Sequence, residues 1–213
     1  MTKPVPALWL TTLVLLGLLG PAPARAASKV WVSNSGVDGP SCGAATSPCA
    51  SFQRAHNNVA AGGEIGVLTP ADYGVVTVGK SVNIANDGTG EASILTAANG
   101  GIGIFILAGA GGIISLRGLI IDGQDIGAGG IDLQSAAALH VQNCVVRNFE
   151  AGATSIGIAF QPNGNSQLFM SDTIVFNNGA NAQSAGILVY GNNVIDNNVG
   201  EDLSAAAIAR TTK

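Results

Sequence analysis

From Glu64 onward, apolar and polar positions alternate in short runs that Gly, Asn and Asp interrupt. A period of two predicts strands whose successive side chains face opposite ways. Upstream, Lys29 to Ser33 (KVWVS) reads as a short strand and Asn34 to Pro48 as a turn-rich stretch. Ala50 to Ala61 changes to helical spacing, with Phe52, Ala55 or His56, and Val59 on one face; Gly62-Gly63 is expected to stop it. The next stretch with a helical pattern is Ala205 to Arg210.

Strands without helices between them, in a Gly-rich chain, suggest repeats. Four segments align without gaps: Ile114 to Gly123 (ISLRGLIIDG), Leu139 to Asn148 (LHVQNCVVRN), Leu168 to Asn177 (LFMSDTIVFN) and Leu188 to Asn197 (LVYGNNVIDN). Each alternates apolar and variable positions, turns, and continues as a strand. The turn column is Gly118, Asn143, Asp172 and Asn192, residue types that tolerate left-handed backbone. The spacing is 25, then 29, then 20 residues, as expected of coils with loops of different length. A Gly-Ile element accompanies them at Gly101–Ile104, Gly130–Leu133 and Gly157–Phe160, with Gly186–Val189 read as a fourth copy.

This pattern predicts strands that pair with their equivalents one coil away, about 4.8 Å distant, so that like residues stack. One inner column is then Leu119, Cys144, Thr173 and Asn193; another is Ile121, Val146, Val175 and Ile195. An outward column of Ile120, Val145, Ile174 and Val194 forms an apolar stripe, either covered by Leu203 to Ile208 or used for self-association. The segment Ala50–Ala61 is placed to cap the first coil, because bare strand edges invite aggregation. The tail from Glu201 to Lys213 is a weaker candidate for the other end.

At this point the chain resembles bacterial exported right-handed parallel β-helix repeat proteins of pectin lyase-like fold, and more closely a subgroup without an assigned activity. The matching stretches are VWVSNSGVDGPSCGAATSPCASFQRA, AAGGEIGVLTPADYGVVTVGKSVNI, AALHVQNCVVRNF and VYGNNVIDNN. The resemblance implies an all-β, right-handed solenoid with three strands per triangular coil, an Asn-rich turn ladder and a short N-terminal capping helix. It implies no activity. The direct run from Gly186-Ile187-Leu188-Val189 into Tyr190-Gly191-Asn192-Asn193 departs from the pattern and suggests a shortened C-terminal end.

Composition supports order: hydrophobic residues are 47% of 213 and charged residues only 10%, the reverse of a disordered chain. The net charge of −4, without a basic cluster, excludes an electrostatic nucleic-acid surface. Lys3, the apolar run Ala7–Gly20 and Ala24-Arg25-Ala26 read as a signal peptide over 1–26, which gives a secreted or periplasmic protein with no later membrane span. The expected organisation is then 27–63 for the first strand, Cys loop and capping helix, 64–200 for the β-helix, and 201–213 for the tail. Cys42 and Cys49 bracket a short Gly/Ser/Pro loop and are expected to form a disulfide, the alternative being two free thiols; Cys144 is expected in the core.

The chemistry in the sequence is sparse. Gly74–Ser81 fits a phosphate-loop pattern, but its interior is Val-Val-Thr-Val and a strand follows, so there is no loop-to-helix cradle. The catalytic candidates are Asp122, Asp125, Asp132 and Arg147, weighed against an exposed Asp122–Arg147 ion pair worth under about 1 kcal/mol. In the expected outward column Gly103, Asp132, Ala159 and Leu188, one carboxylate in four coils forms neither a metal cluster nor an acid pair. His56 and His140 lack catalytic partners at motif spacing. No metal or cofactor is expected, Ca²⁺ entering only if the protein is a lyase. The leading expectation is a non-catalytic scaffold binding polysaccharide or a cell-surface partner through flat strands with Gln134, Gln161 and Asn-rich turns, without an aromatic platform. The alternatives are a polysaccharide lyase or glycoside hydrolase with a reduced acidic site, and a truncated structural copy.

Overall fold

The computed structural model describes residues 27–96, 100–152, 155–160, 166–179, 187–190, 192–196, 198 and 208–210. In chain order it begins with β1 (Ala27–Val32), α1 (Phe52–Asn58), β2 (Val59–Val67), β3 (Ala71–Asp72), β4 (Val76–Val78), β5 (Val82–Ala85), β6 (Ala92–Leu95), β7 (Ile102–Leu107), β8 (Ile113–Arg117) and β9 (Ile120–Asp122). There follow β10 (Gly129–Ser135), β11 (Ala138–Gln142), β12 (Val145–Phe149), β13 (Ile156–Phe160), β14 (Gln167–Ser171), β15 (Ile174–Asn178), β16 (Ile187–Tyr190), β17 (Val194–Asp196) and β18 (Ile208–Arg210).

These strands form three sheets: β1-β2-β5-β8-β11-β14-β16-β18, β3-β6-β9-β12-β15-β17 and β4-β7-β10-β13. From β2 to β13 the chain visits the three in strict rotation, and every strand pairing is parallel. Strands that wind this way pair with the preceding and following coil, which fits a β-helix solenoid. Inner positions are apolar and fully buried: Ile84, Leu116 and Val141 on one wall, Ile94, Ile121 and Val146 on the second, Ile104, Ile106 and Ile131 on the third.

The turn column has one geometry throughout. Gly118, Asn143, Asp172 and Asn192 have φ of 69°, 50°, 51° and 57°. Registers Gln142↔Ser171 and Val145↔Ile174 on either side place Asn143 level with Asp172. Leu119, Cys144 and Thr173 are buried below them, and Asn193 is half-buried, its amide donating to the Met170 carbonyl.

Four expectations need correction. The helix ends at Asn58, and Val59 already belongs to β2, so the glycines do not stop it; strand pairing with β1 claims the segment first. β1 is already the first strand of the eight-stranded sheet, ahead of the expected start of the β-helix at 64. Ile187–Tyr190 is no fourth Gly-Ile element: it pairs with β14 at Leu168↔Ile187, while Ile174↔Val194 holds in the next sheet, so the intervening turn carries one extra residue. Ile208–Arg210 is a strand on β16, not a helix; Leu203 to Ala207 lie outside the described residues, as do the 1–26 segment and Gln161.

The first Gly-Ile copy is also displaced by two residues from its expected register, while the second and third copies pair as expected. Ile131 pairs with Ile104, which stacks Gly103 on Gly130, while Asp132 pairs with Phe105 and Ala159. Space explains the glycines: a Cβ on Gly103 would lie 2.8 Å from Ile121 Cγ2, and one on Gly130 2.7 Å from Val146 Cγ1. The glycine column lets the four-stranded and six-stranded sheets close on each other.

The N-terminal edges are covered, each by a different device. On β1, Trp31 N–H donates to the Gly43 carbonyl, and Cys49 N–H to that of Trp31. The Cys42–Cys49 disulfide, with Cα atoms 5.0 Å apart, closes this loop. On β4, the Gln53 side chain of α1 accepts the Thr77 N–H at 2.8 Å, and His56 Nε2 accepts the Gly79 N–H at 3.3 Å. On the edge at β3, the Phe52 N–H donates to the Tyr73 carbonyl. Ser51 caps α1 by accepting the Arg54 N–H.

Candidate functional site

The acidic candidates do not converge. Asp122 ends β9 in the six-stranded sheet, Asp132 lies in β10 of the four-stranded sheet, and Asp125 is exposed in the turn between them. Asp122 is 8% exposed and accepts from Arg147 Nε at 2.8 Å, Asn148 Nδ2 at 3.1 Å and the Gln124 amide at 2.9 Å. Burial opposes its ionisation, but the Gln124 amide, Arg147 and Asn148 outweigh that and hold its carboxyl below the ordinary value. A carboxylate fixed by three donors is ill placed to act as base or metal ligand. Asn148 passes the ladder on by accepting from Asn177 Nδ2 at 2.9 Å.

Asp132 accepts from Gln134 Nε2 at 2.6 Å. Its outer column is Thr77, Phe105, Asp132 and Ala159 rather than the glycine-led one expected from sequence. It still contains a single carboxylate.

Among the described residues, ligand-type groups converge in threes only at Asp38, Cys42 and Cys49. Both sulfurs are in the disulfide, and Asp38 accepts from the Ala50 and Ser51 amides and the Ser51 hydroxyl. The cluster closes the Cys loop onto the helix N-terminus. Cys144 is buried, and desolvation pushes its thiol up to about 11, so it is inert packing.

The outer face of the eight-stranded sheet is different. One row runs Lys29, Glu64, Asn83, Ser115, His140, Phe169 across six strands. The next runs Trp31, Gly66, Ala85, Arg117, Gln142, Ser171. At one end Trp31 lies flat on Gly66, where a Cβ would come within 2.6 Å of the indole, and Lys29 Nζ sits 4.3 Å from the ring centroid. Lys29 pairs with Glu64 at 2.5 Å and Glu64 accepts from Asn83. At the other end His140 and Phe169 stack with centroids 4.5 Å apart and planes 5° from parallel. Desolvation there lowers the His140 pKa. Arg117 bonds Asp87 at 2.6 Å between the two ends.

Sequence reading missed this aromatic arrangement, although the signal was present. His140 and Phe169 occupy the same second position of two aligned repeats, which a stacked register makes neighbours.

The apolar stripe is also present. Ile120 and Val145 are half-buried, Ile174 is 39% exposed and Val194 51%.

No helix among the described residues is long and apolar enough to cross a membrane, which leaves open crossing by strands. No protein-family model, no curated protein and no solved structure matches this chain.

Proposed function

We propose that the protein is a non-catalytic, exported β-helix scaffold, right-handed and of pectin lyase-like fold, that binds polysaccharide or a glycan-bearing cell surface. The outer face of the eight-stranded sheet is the binding surface. The observation that carries this is the presence of two aromatic clusters, Trp31 and the His140–Phe169 stack, with polar side chains between them on the outer face of one sheet. At about 4.8 Å per strand, Trp31 lies four strands from His140 and five from Phe169, roughly 19–24 Å, the scale of a short oligosaccharide. The half-buried aromatic side chains offer apolar surface to the C–H groups of sugar rings, while Asn83, Ser115 and Gln142 offer hydrogen bonds to hydroxyls.

The test is a panel of pectate, alginate and neutral polymers against the purified chain, with and without Ca²⁺. Binding that W31A and F169A each weaken at least about tenfold, a loss of some 1.4 kcal/mol, is expected. Release of ultraviolet-absorbing unsaturated ends, or of reducing ends, would instead show a lyase or hydrolase and overturn the reading.

A further inference from the structure

We propose that α1 is an acid-sensitive cap, with His56 as the latch that releases it from the edge of the four-stranded sheet. In an ordinary coil the outer N–H groups of β4 and the residues after it would donate to a preceding strand. Here α1 supplies the acceptors. Gln53 Oε1 takes the Thr77 N–H, and His56 Nε2 takes the Gly79 N–H. An imidazole nitrogen accepts only while it is unprotonated, so the bond to Gly79 requires neutral His56 with its proton on Nδ1.

The surroundings favour that form. His56 is 7% exposed, and no hydrogen bond of ordinary geometry reaches Nδ1. Burial, then the charge of Lys80, push the imidazole below its ordinary pKa, and neighbouring Asn57 only partly opposes this. Lys80 is held close by its own bond, 2.6 Å to the Val59 carbonyl at the end of α1. Of the other charged groups on the elements that pack against α1, Lys29 and Glu64 pair with each other on the outer face of β1 and β2. Protonation would point Nε2–H at the Gly79 N–H and place a second cation beside Lys80 in a buried site. Movement of the second half of α1 away from β4 relieves both conflicts.

The direction follows from linkage. A histidine whose folded pKa lies below its unfolded value of about 6.5 binds more protons unfolded, so its contribution to folding is complete above that pH. It is lost as pH falls from there to the folded pKa. The released state frees the Gly79 N–H just after β4, an unpaired donor on the sheet edge. The first half of α1 stays tethered, because Phe52 and Ala55 are fully buried and Asp38 holds Ser51.

Amide exchange of the full chain, corrected for intrinsic rates, tests this between about pH 7.5 and about pH 5, the range in which histidine titrates. Protection of the Gly79 amide, which His56 holds, should fall at least tenfold on acidification, with Thr77, β11 and β12 unchanged. H56Q, whose amide oxygen accepts without titrating, should abolish the pH dependence. Equal loss in H56Q, or undiminished protection at the lower pH, overturns the proposal. Should H56Q fail to fold, the wild-type imidazole resonances decide. Titration of His56 in step with lost protection supports the latch, and titration without it refutes the latch.

Discussion

Asn143 and Asp172 each hold a backbone conformation, φ 50° and 51°, that most side chains avoid. Asn143→Gly should therefore leave stability nearly unchanged, whereas Asn143→Val should lower it by about 1–2 kcal/mol, because a branched side chain clashes with its own carbonyl there. Denaturant melts of the two variants check this. Asp122 invites a second prediction. Its carboxylate satisfies Arg147, Asn148 and the Gln124 amide, so Asp122→Ala should cost about 1–3 kcal/mol by leaving those donors unpaired. Since its folded pKa is lowered, its ionic contribution is present above the unfolded value of 3.8 and disappears as pH falls through the folded one. The wild-type margin over Asp122→Asn in acid melts should narrow in that order. The turn residues were legible because left-handed backbone selects Gly, Asn and Asp by type. The His140–Phe169 stack had its signal in a shared repeat position, but outward positions vary freely and the alignment alone does not say that the two rings touch.

At the level of elements, the strands were readable and their ends were not. Val59 continues the apolar face of α1 at helical spacing, yet it starts β2, since pairing with Ala27 competes with one more helical bond. Nothing local in the sequence weighs those two. Likewise the Gly-Ile element looked like four copies, but strand pairing assigns Gly103 to Gly130 and places Ile187–Tyr190 in another sheet. The edge covers carry two predictions. Replacing Gln53 with Ala uncovers the Thr77 N–H and should cost about 1 kcal/mol, read as faster exchange of that amide. Replacing both Cys42 and Cys49 with Ser removes a bridge between residues seven apart in sequence and should lower stability by about 2–3 kcal/mol. Its readout is early loss of protection at β1, because the loop that pairs with Trp31 is then free to open. Uniform loss across all coils would show that the loop does not guard that edge.

For the whole molecule, three parallel sheets visited in rotation make each coil depend on its neighbours alone. That arrangement accounts for the fixed phase of the repeats despite their unequal spacing, for the buried Leu119–Cys144–Thr173 column, and for carboxylates dispersed over separate faces. It also creates the broad outer sheet on which the binding proposal rests. Registered stacking is the claim under all of these, and paired cysteines on the outer face of the six-stranded sheet probe it directly. Val145 pairs with Ile174, and Phe176 lies two residues further along the same strand and face. The native thiol of Cys144 is buried and stays silent. A bifunctional thiol reagent of short reach should bridge V145C/I174C rapidly and V145C/F176C slowly or not at all. Equal rates, or faster bridging of V145C/F176C, would contradict the stacked register.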